Sequence, residues 1–448
     1  MNRRIAVVLL ALLALLAGAC SNASDDSEAG GDNDGTTAGT ADDGGPLSYQ
    51  DVLELPIDEN VPVTAPGVDD STIRVGGVAS TTNPIGGPYG EVFEGVQAYF
   101  DYINDGGGIY GRQLELAAQE DDNTGFENRE DVQSLLSQDL FAVLPIATLD
   151  FSGADLLADA NMPSFGWNIN EEYNGPPNIF GERGFLCFTC PSPGLPWLAQ
   201  ELGATSVGVL AYDVPQSADC AEGIQNSFDT YPTAEIGFFD NSLQYGIPDL
   251  SAQVNRMKDA GVDLVTTCMD FNGVTTLQQE MNSQNLDAVQ YLPNGYDYNF
   301  LEQNGDLFDG AYVLTNFVPF EVPDDEKPEG LQLYEEWIEE SGGTVGELSL
   351  GGWLSADLFV TGLRAAGPEF SQQGVVDGLN QLTDWDGQGL VADIDWTESH
   401  ESEGDETCFA MSQIEDGAFV PVFGEPGKPF ICFPLGGTEV PDAPEVTD

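Results

Sequence analysis

Residues 71–121 have the sequence STIRVGGVASTTNPIGGPYGEVFEGVQAYFDYINDGGGIYGRQLELAAQED, which contains the first strand, helix and strand of a repeating pattern. Residues 72–78 are mostly apolar, which predicts a buried strand. Residues 113–119 predict the next strand. Between them, residues 90–104 place four apolar side chains at the spacing of one helix face: Val92, Val96, Tyr99 and Ile103. The order strand, helix, strand indicates a parallel βαβ unit.

The alternation continues in two series along the chain. In the first series, a helix predicted at 127–139 precedes a strand at 140–146, and a helix at 151–160 precedes a strand at 162–166. The second series begins near Pro191. Its strands are predicted at 206–212, 235–239, 263–268, 289–292 and 311–317, and it ends with helices at 329–340 and 353–366 and a hairpin. Two such series predict an α/β fold with two doubly wound lobes. Ligands of open α/β sheets bind beyond the carboxyl ends of the strands, so two facing lobes form a cleft.

The charge of the chain is strongly negative. Its 448 residues include 77 acidic and 11 basic side chains, a formal net charge of −66. Phosphate binding needs clustered Lys and Arg, so the charge argues against a nucleic-acid partner. Residues 21–71 hold 13 acids and no base, which leaves 64 acids and nine bases in residues 72–448, a net charge near −55. This excess indicates solubility by self-repulsion or adaptation to high salt.

The first residues have the features of an export signal. A basic start is followed by 13 apolar residues, 5–17, too few to span a membrane, and then by Cys20. This segment resembles a bacterial lipoprotein signal, which predicts a leader at 1–19 and lipidation of Cys20; an ordinary cleaved signal is the alternative. Residues 20–71 are predicted to be an acidic, Gly-rich tether because their first half lacks any apolar period.

Six cysteines remain after Cys20: Cys187, Cys190, Cys220, Cys268, Cys408 and Cys432. An even number in an exported chain predicts three disulfides. Cys408 and Cys432 flank two strands and an Asp416-Gly417 turn, which favours their pairing. Cys187 and Cys190 are expected in a structural bridge, either with each other or with Cys220 or Cys268.

Several short motifs occur in a fixed order. They are Pro88-Tyr89-Gly90, residues 101–112 (DYINDGGGIYGR), residues 119–122 (QEDD), residues 141–148 (FAVLPIAT) and residues 162–166 (MPSFG). Together they resemble the type I periplasmic-binding-protein family, the leucine/isoleucine/valine-binding group of ABC-transporter solute receptors. The resemblance covers about residues 72–435.

The resemblance implies discontinuous lobes joined by a three-segment hinge. Lobe 1 would be 72–190 and 313–390, and lobe 2 would be 191–312 and 391–435, followed by a tail at 436–448. It implies a receptor that closes over a small ligand, such as a branched-chain amino acid, an amide or a carboxylate. It also implies ABC permease subunits as partners and an extracytoplasmic location, anchored to the cell membrane through Cys20.

The resemblance also implies where the ligand binds in lobe 1. In the family, a hydroxyl and backbone N–H groups after the third strand hold a carboxylate, and here Thr148 is the first candidate and Ser152 the second. Alternatively, Asp150 or Ser152 caps the next helix. The candidate residues of lobe 1 are Tyr89, Ala147, Thr148, Ser152, Trp167 and Asn168. For Tyr89 and Trp167, packing within the lobe is the alternative interpretation.

In lobe 2, the candidates are Asp270, Phe271 and Tyr296. Amino-acid binders of the family commonly pair the ligand ammonium with a Glu near the position of Asn294. Here Asp270 or Asp297 would have to replace it, because a desolvated charge needs a partner. If neither faces the cleft, a urea, an amide or an aromatic carboxylate is the expected ligand.

The remaining function classes are a sensor and an enzyme. A ligand-binding sensor that signals to a membrane receptor is the alternative to an importer subunit. We predict no enzyme, cofactor or metal site. The single histidine, His400, lies in the acidic stretch 398–401 and is expected to be exposed, which a catalytic triad would not tolerate.

Overall fold

The computed structural model describes residues 45–83, 86–244, 246, 249–293 and 295–447. The predicted leader and Cys20 lie outside these residues. No helix in the described ranges has the length and apolar character needed to cross a membrane.

The first sheet contains five parallel strands: β1 (Thr72–Ala79), β2 (Gln113–Asp121), β3 (Ala142–Ala147), β4 (Ser164–Gly166) and β5 (Ile179–Gly181). Their order is β2-β1-β3-β4-β5. Four helices belong to this part of the chain: α1 (Tyr49–Leu53), α2 (Glu91–Asp105), α3 (Asn128–Leu136) and α4 (Ala154–Ala160). Because β1 lies between β2 and β3, the loops after β1 and β3 diverge at a switch point, where α/β sheets bind ligands.

The second sheet has nine strands: β6 (Ser206–Tyr212), β7 (Glu235–Leu243), β8 (Leu264–Cys268), β9 (Val289–Leu292), β10 (Tyr312–Thr315), β11 (Glu406–Glu415), β12 (Ala418–Val422), β13 (Phe430–Pro434) and β14 (Glu445–Thr447). The order is β14-β13-β11-β10-β9-β8-β6-β7, and β12 pairs with β11. The helices of this part are α5 (Gly194–Leu202), α6 (Pro215–Thr230), α7 (Ser251–Asp259), α8 (Phe271–Gln284) and α9 (Tyr298–Asn304). Strands β6 to β10 are parallel, and β11 to β14 are antiparallel.

Three late helices complete the first lobe: α10 (Glu329–Glu340), α11 (Glu347–Ala366) and α12 (Gln372–Leu379). Helix α11 packs closely on α2. A Cβ atom on Gly95 would lie 1.8 Å from the Ser349 carbonyl oxygen, and one on Gly352 would lie 1.9 Å from that of Val92. The helix begins six residues before the predicted start at 353, because this packing stabilises a glycine-containing turn of low helix propensity.

The fold class predicted from the sequence, two α/β lobes of the periplasmic-binding-protein type, is confirmed. Some predicted boundaries are wrong. Strand β10 ends at Thr315 in the second sheet, so the second crossing between lobes follows residue 315 rather than 312. The tail predicted at 436–448 contains β14, which extends the second sheet beside β13.

The third crossing also comes later than predicted. Residues 391–402 fall within the predicted lobe 2, yet Trp396 packs on Phe180 of the first sheet with ring centroids 4.9 Å apart. The Gly175 N–H donates to the His400 carbonyl oxygen at 2.7 Å. The apolar side chains of this segment therefore complete the core of lobe 1.

His400 is buried, contrary to the expectation from its acidic neighbours. Its ring lies 5.0 Å from that of Phe180 and 5.2 Å from that of Trp396. Burial lowers its pKa to about 4. The side chains of Glu398 and Glu401 are exposed to solvent, whereas the His400 ring between them is buried. The acidic composition of the segment does not reveal this difference in burial.

The predicted tether, 20–71, ends too late. Residues 45–71 pack on lobe 1, where Leu47 forms a β-bridge with Leu382 and Tyr49 is buried. The Tyr49 hydroxyl donates to the Asp357 carboxylate of α11 at 2.9 Å. This side chain anchors the segment because a buried hydroxyl requires a partner.

The described part of the chain contains three disulfides. Cys408 pairs with Cys432 as expected, Cys187 pairs with Cys190, and Cys220 pairs with Cys268. Local pairing of Cys187 was one of the open alternatives. The Cys187–Cys190 bridge lies at the first crossing, where Phe188 N–H donates to Glu171 of lobe 1 and the Thr189 carbonyl accepts from Asn226 of lobe 2.

Candidate functional site

Tyr89 and Trp167 meet at the carboxyl edge of the first sheet. Tyr89 precedes α2, Trp167 follows β4, and their rings form an edge-to-face pair with centroids 5.6 Å apart. Both belong to an apolar cluster that includes Ala147 at the end of β3. Tyr89 is 7% exposed and Trp167 9% exposed. These three predicted site residues therefore pack together at this edge. Little of the surface of the two rings is exposed to a ligand.

Thr148, the predicted carboxylate-binding residue, is 1% exposed and is bonded within its own loop. Its hydroxyl donates to the Asp150 carbonyl oxygen at 2.9 Å and accepts from the Asp150 N–H at 3.3 Å. The Leu149 N–H donates to the Ser80 hydroxyl at 3.1 Å. The donors expected to hold a carboxylate are thus used in the folded loop.

Ser152 is exposed in the same loop. Its carbonyl oxygen accepts from Arg129 at 2.8 Å. The alternative role, a cap for the next helix, is wrong for both Asp150 and Ser152, because Gly153 occupies the N-cap position of α4 without a side-chain bond.

Asn168 is buried and organises the loop that follows β5 rather than facing a cavity. Its amide oxygen accepts from the Arg183 N–H at 3.0 Å, and its amide nitrogen donates to the Gly184 carbonyl at 2.9 Å. Its backbone N–H donates to the Glu182 carboxylate at 3.2 Å. Asn168 is therefore a positioning residue for Glu182 and Arg183.

Glu182 and Arg183 bring charge to this edge. Glu182 is 5% exposed, and burial raises its pKa to about 8 although Arg183 opposes the shift. The Arg183 guanidinium lies 2.5 Å from the Glu347 carboxylate at the start of α11 and 5.4 Å from the centroid of Trp167. The Trp167 indole N–H donates to the same carboxylate at 3.3 Å. Arg183, Glu347 and Trp167 thus form one connected group.

The local sequence gives no signal for the site position of these charged residues. Glu182 and Arg183 follow β5, a strand of three residues that is too short to give a periodic signal. Glu347 lies in the first turn of α11, before the predicted start of that helix. A strand-edge position for Arg183 was therefore not predictable from the pattern alone.

The predicted residues of lobe 2 lie at the carboxyl edge of its sheet. Asp270 caps α8, where it accepts from the Gly273 N–H at 2.8 Å and from the Tyr212 hydroxyl at 2.9 Å. Phe271 stacks on Phe300 with centroids 4.7 Å apart. These contacts give Asp270 and Phe271 structural roles beside the cleft.

Tyr296 follows β9 and is buried. Its hydroxyl donates to Glu321 at 2.5 Å, in the segment that returns the chain to lobe 1, and its ring stacks on Phe419 of β12 with centroids 4.4 Å apart. Tyr296 thus connects lobe 2 to a hinge segment.

One acidic group of lobe 1 has a raised pKa. Glu91, at the start of α2, has a pKa raised to about 7 by burial, by Glu94 and by Asp297. Asp297 belongs to lobe 2, where it caps α9 by accepting from the Phe300 N–H at 2.6 Å. Burial is the main cause of the raised pKa of Glu91, and the negative charges of Glu94 and Asp297 add to it.

Known proteins share this architecture. The family model described as periplasmic binding protein matches residues 72–418. No curated protein matches the chain in a sequence search. Among solved structures, a fatty acid ABC transporter substrate-binding protein from Thermomonospora curvata has a TM-score of 0.67 at 16% identity, covering 80% of this chain and 93% of its own.

Two further structures carry small ligands. A branched-chain amino acid ABC transporter protein from Thermus thermophilus with bound valine has a TM-score of 0.65 at 16% identity, covering 79% of this chain and 95% of its own. An ABC-transporter solute-binding protein from R. palustris in complex with 4-hydroxybenzoate has a TM-score of 0.64 at 16% identity, covering 78% and 95%. The family match spans most of the chain and agrees with the two-lobed fold, so the chain belongs to the periplasmic-binding-protein family.

Proposed function

We propose that the chain is the extracytoplasmic solute-binding receptor of an ABC importer, which binds one small molecule between its lobes and closes over it. One observation carries the proposal: in a chain of the periplasmic-binding-protein family, Tyr89, Ala147 and Trp167 meet at the carboxyl edge of the first sheet, at its switch point between β1 and β3. Ligands of such sheets bind at these edges. Closure by hinge motion would bury the ligand between the lobes.

The anchor is the second element of the proposal. Lipidation at Cys20 would hold the receptor at the outer face of the cell membrane, next to its permease subunits. Residues 45–71 are packed on lobe 1, so only about 25 residues, 20–44, would separate the lipid from the folded protein. Two or three acyl chains give stable anchoring, whereas a single chain binds only weakly.

A thermal-shift screen of small solutes, run at low and high salt, tests the binding function. We expect at least one solute to raise the melting temperature by roughly 3–5 °C at 100 times its Kd, because a ligand stabilises the folded state by mass action. In the variant Trp167→Ala, the shift should be lost, because this ring forms part of the cleft wall.

The variant Phe126→Ala is the matched control, because Phe126 is 84% exposed on the same lobe. It should keep the full shift. If no solute raises the melting temperature at either salt concentration, or if Trp167→Ala retains the whole shift, the proposed function is wrong.

A further inference from the structure

We propose that the Cys187–Cys190 disulfide at the first crossing, the hinge bridge, is a redox-active site. A dithiol reduces it by thiol–disulfide exchange, and the reduced receptor binds its ligand more weakly. The effect on affinity rests on the proposed receptor function and adds a form of regulation to it. Three features of the hinge bridge carry the proposal: the length of the loop that it closes, the exposure of its cysteines, and its place between the lobes.

The hinge bridge closes a very short loop. Its two cysteines are three residues apart in sequence, whereas the other two disulfides span 24 and 48 residues. In the chain-entropy account, a disulfide stabilises the folded state by restricting the unfolded chain, and this effect grows with the length of the closed loop. The hinge bridge therefore contributes least to stability, so its reduction leaves the lobes folded.

Among the three disulfides of the described residues, the hinge bridge alone has no buried cysteine. Each of the others contains one, since Cys268 is 9% exposed and Cys432 is 3% exposed. Both cysteines of the hinge bridge are half-buried, as are Phe188 and Thr189 between them. Exchange begins when a thiolate attacks a sulfur atom, so its rate depends on access to that atom. A dithiol is therefore expected to reduce the hinge bridge first.

The hinge bridge spans the point where the chain passes from one lobe to the other. Before it, Leu186 is attached to lobe 1, because its carbonyl oxygen accepts from the Asn174 amide at 2.6 Å and its N–H donates to the same side chain at 3.1 Å. After it, the Ser192 N–H donates to the Ser227 hydroxyl of α6, in lobe 2, at 2.9 Å. The hinge bridge therefore stiffens the piece of chain between these two attachments.

The loop inside the hinge bridge contacts both lobes. The Phe188 N–H donates to the Glu171 carboxylate of lobe 1 at 3.0 Å. In lobe 2, the Asn226 amide donates to the Thr189 carbonyl oxygen at 2.8 Å, and a Cβ atom on Gly223 would lie 2.0 Å from the Phe188 carbonyl oxygen. A change in the stiffness of this loop is thus transmitted directly to the contact between the lobes.

The exchange reaction is balanced by the dithiol alone. Its thiolate attacks Cys190 Sγ, a mixed disulfide forms, and Cys187 Sγ leaves as a thiolate that takes a proton from solvent. The Thr189 hydroxyl lies 4.0 Å from Cys187 Sγ and can donate to this leaving group. The second thiol of the reagent, as a thiolate, then displaces Cys190. The protein gains two electrons and two protons as two thiols, and the dithiol becomes a disulfide.

Reduction is expected to weaken ligand binding through the freedom of the hinge. Without the hinge bridge, residues 187–190 sample more conformations when the lobes are open. Closure over a ligand must then remove this freedom, which costs conformational entropy. The oxidised hinge bridge removes part of that cost in advance, as other preorganising links do.

Native reduction followed by alkylation tests the chemistry. The full chain is treated with about 1 mM dithiothreitol, and free thiols are trapped with iodoacetamide and located by peptide mass spectrometry. We expect Cys187 and Cys190 to be alkylated at least about tenfold faster than any cysteine of the other two disulfides. Equal rates for the three disulfides, or faster alkylation of another one, would overturn the proposal.

Calorimetric titration with a solute from the thermal-shift screen tests the effect on affinity. The Kd should be at least about threefold higher after this reduction, and reoxidation should restore it. The melting temperature of the unliganded chain should fall by less than about 3 °C, because the closed loop is short. A larger fall would give the hinge bridge a purely structural role and overturn the proposal.

The double variant Cys187→Ser/Cys190→Ser is the matched control. It should bind the solute as weakly as reduced wild type, and dithiothreitol should not change its Kd. If the variant does not fold, the reversible change of Kd in wild type decides. If reduced and oxidised wild type bind the solute equally well, the redox regulation is wrong and the receptor function stands. If no solute binds in either redox state, both proposals are wrong.

Discussion

Replacing Asp357 by leucine is expected to lower the free energy of unfolding by roughly 3–5 kcal/mol, because three buried donors would lose their acceptor. Asp357 lies within α11 and is 1% exposed. It accepts from the hydroxyls of Tyr49 and Tyr99 at 2.9 Å and from the indole N–H of Trp385 at 2.7 Å. Its carboxylate therefore connects three distant parts of the chain.

Urea unfolding of the purified chain, followed by tryptophan fluorescence, measures the loss. Asp357→Asn keeps one acceptor oxygen and should cost less than the leucine variant. Asp159→Leu, an exposed position of α4, is the control for adding a leucine and should change stability by under about 0.5 kcal/mol. Equal losses in Asp357→Leu and Asp159→Leu would contradict this role of Asp357.

Substituting Glu182 by glutamine should change the pH dependence of stability. Burial raises the pKa of Glu182 from 4.5 to about 8, so the folded state binds more protons than the unfolded state between these values. The stability of the wild-type chain therefore falls as the pH rises from about 4.5 through 8. In Glu182→Gln this part of the pH dependence is absent.

The measurement is the free energy of unfolding of wild type and variant at pH 5 and at pH 9. Between these pH values, wild type should lose on the order of 3 kcal/mol more than the variant. Above pH 8, Glu182→Gln should be the more stable protein. Glu172→Gln, an exposed acid in the neighbouring turn, should follow wild type at both pH values. Parallel pH profiles for wild type and Glu182→Gln would show that the carboxyl of Glu182 is already charged at neutral pH.

The two-lobed fold was predictable because it depends on repeated local patterns. The strands around residues 72–78 and 140–146 and the helix at 90–104 each have the apolar spacing of their element, and βα alternation implies parallel sheets. Boundaries were less predictable, since they depend on partners far along the chain. Tyr49 is fixed by Asp357, and Trp396 by Phe180, contacts that no local pattern contains.

The candidate site was predictable only in position. The sequence predicts that Tyr89, Ala147 and Trp167 lie at one edge of the sheet, and the structure places them in one apolar cluster. The sequence does not reveal that the Leu149 N–H donates to Ser80 or that the Thr148 hydroxyl donates to the Asp150 carbonyl. Such hydrogen bonds depend on the direction of side chains on different strands. The roles of the site residues and the lipid anchor at Cys20 stay predictions.

Hydrogen–deuterium exchange of the full chain, with and without a bound solute from the screen, tests the central claim of a ligand held between two lobes. We expect slower exchange on binding in segments of both lobes: residues 147–152 and 167–183 in lobe 1, and residues 268–273 and 295–301 in lobe 2. Exchange in residues 224–230 of α6 and 235–239 of β7, at the opposite end of the second sheet from its carboxyl edge, should not change. Protection confined to one lobe, or to the groove between α6 and β7, would contradict binding in the cleft.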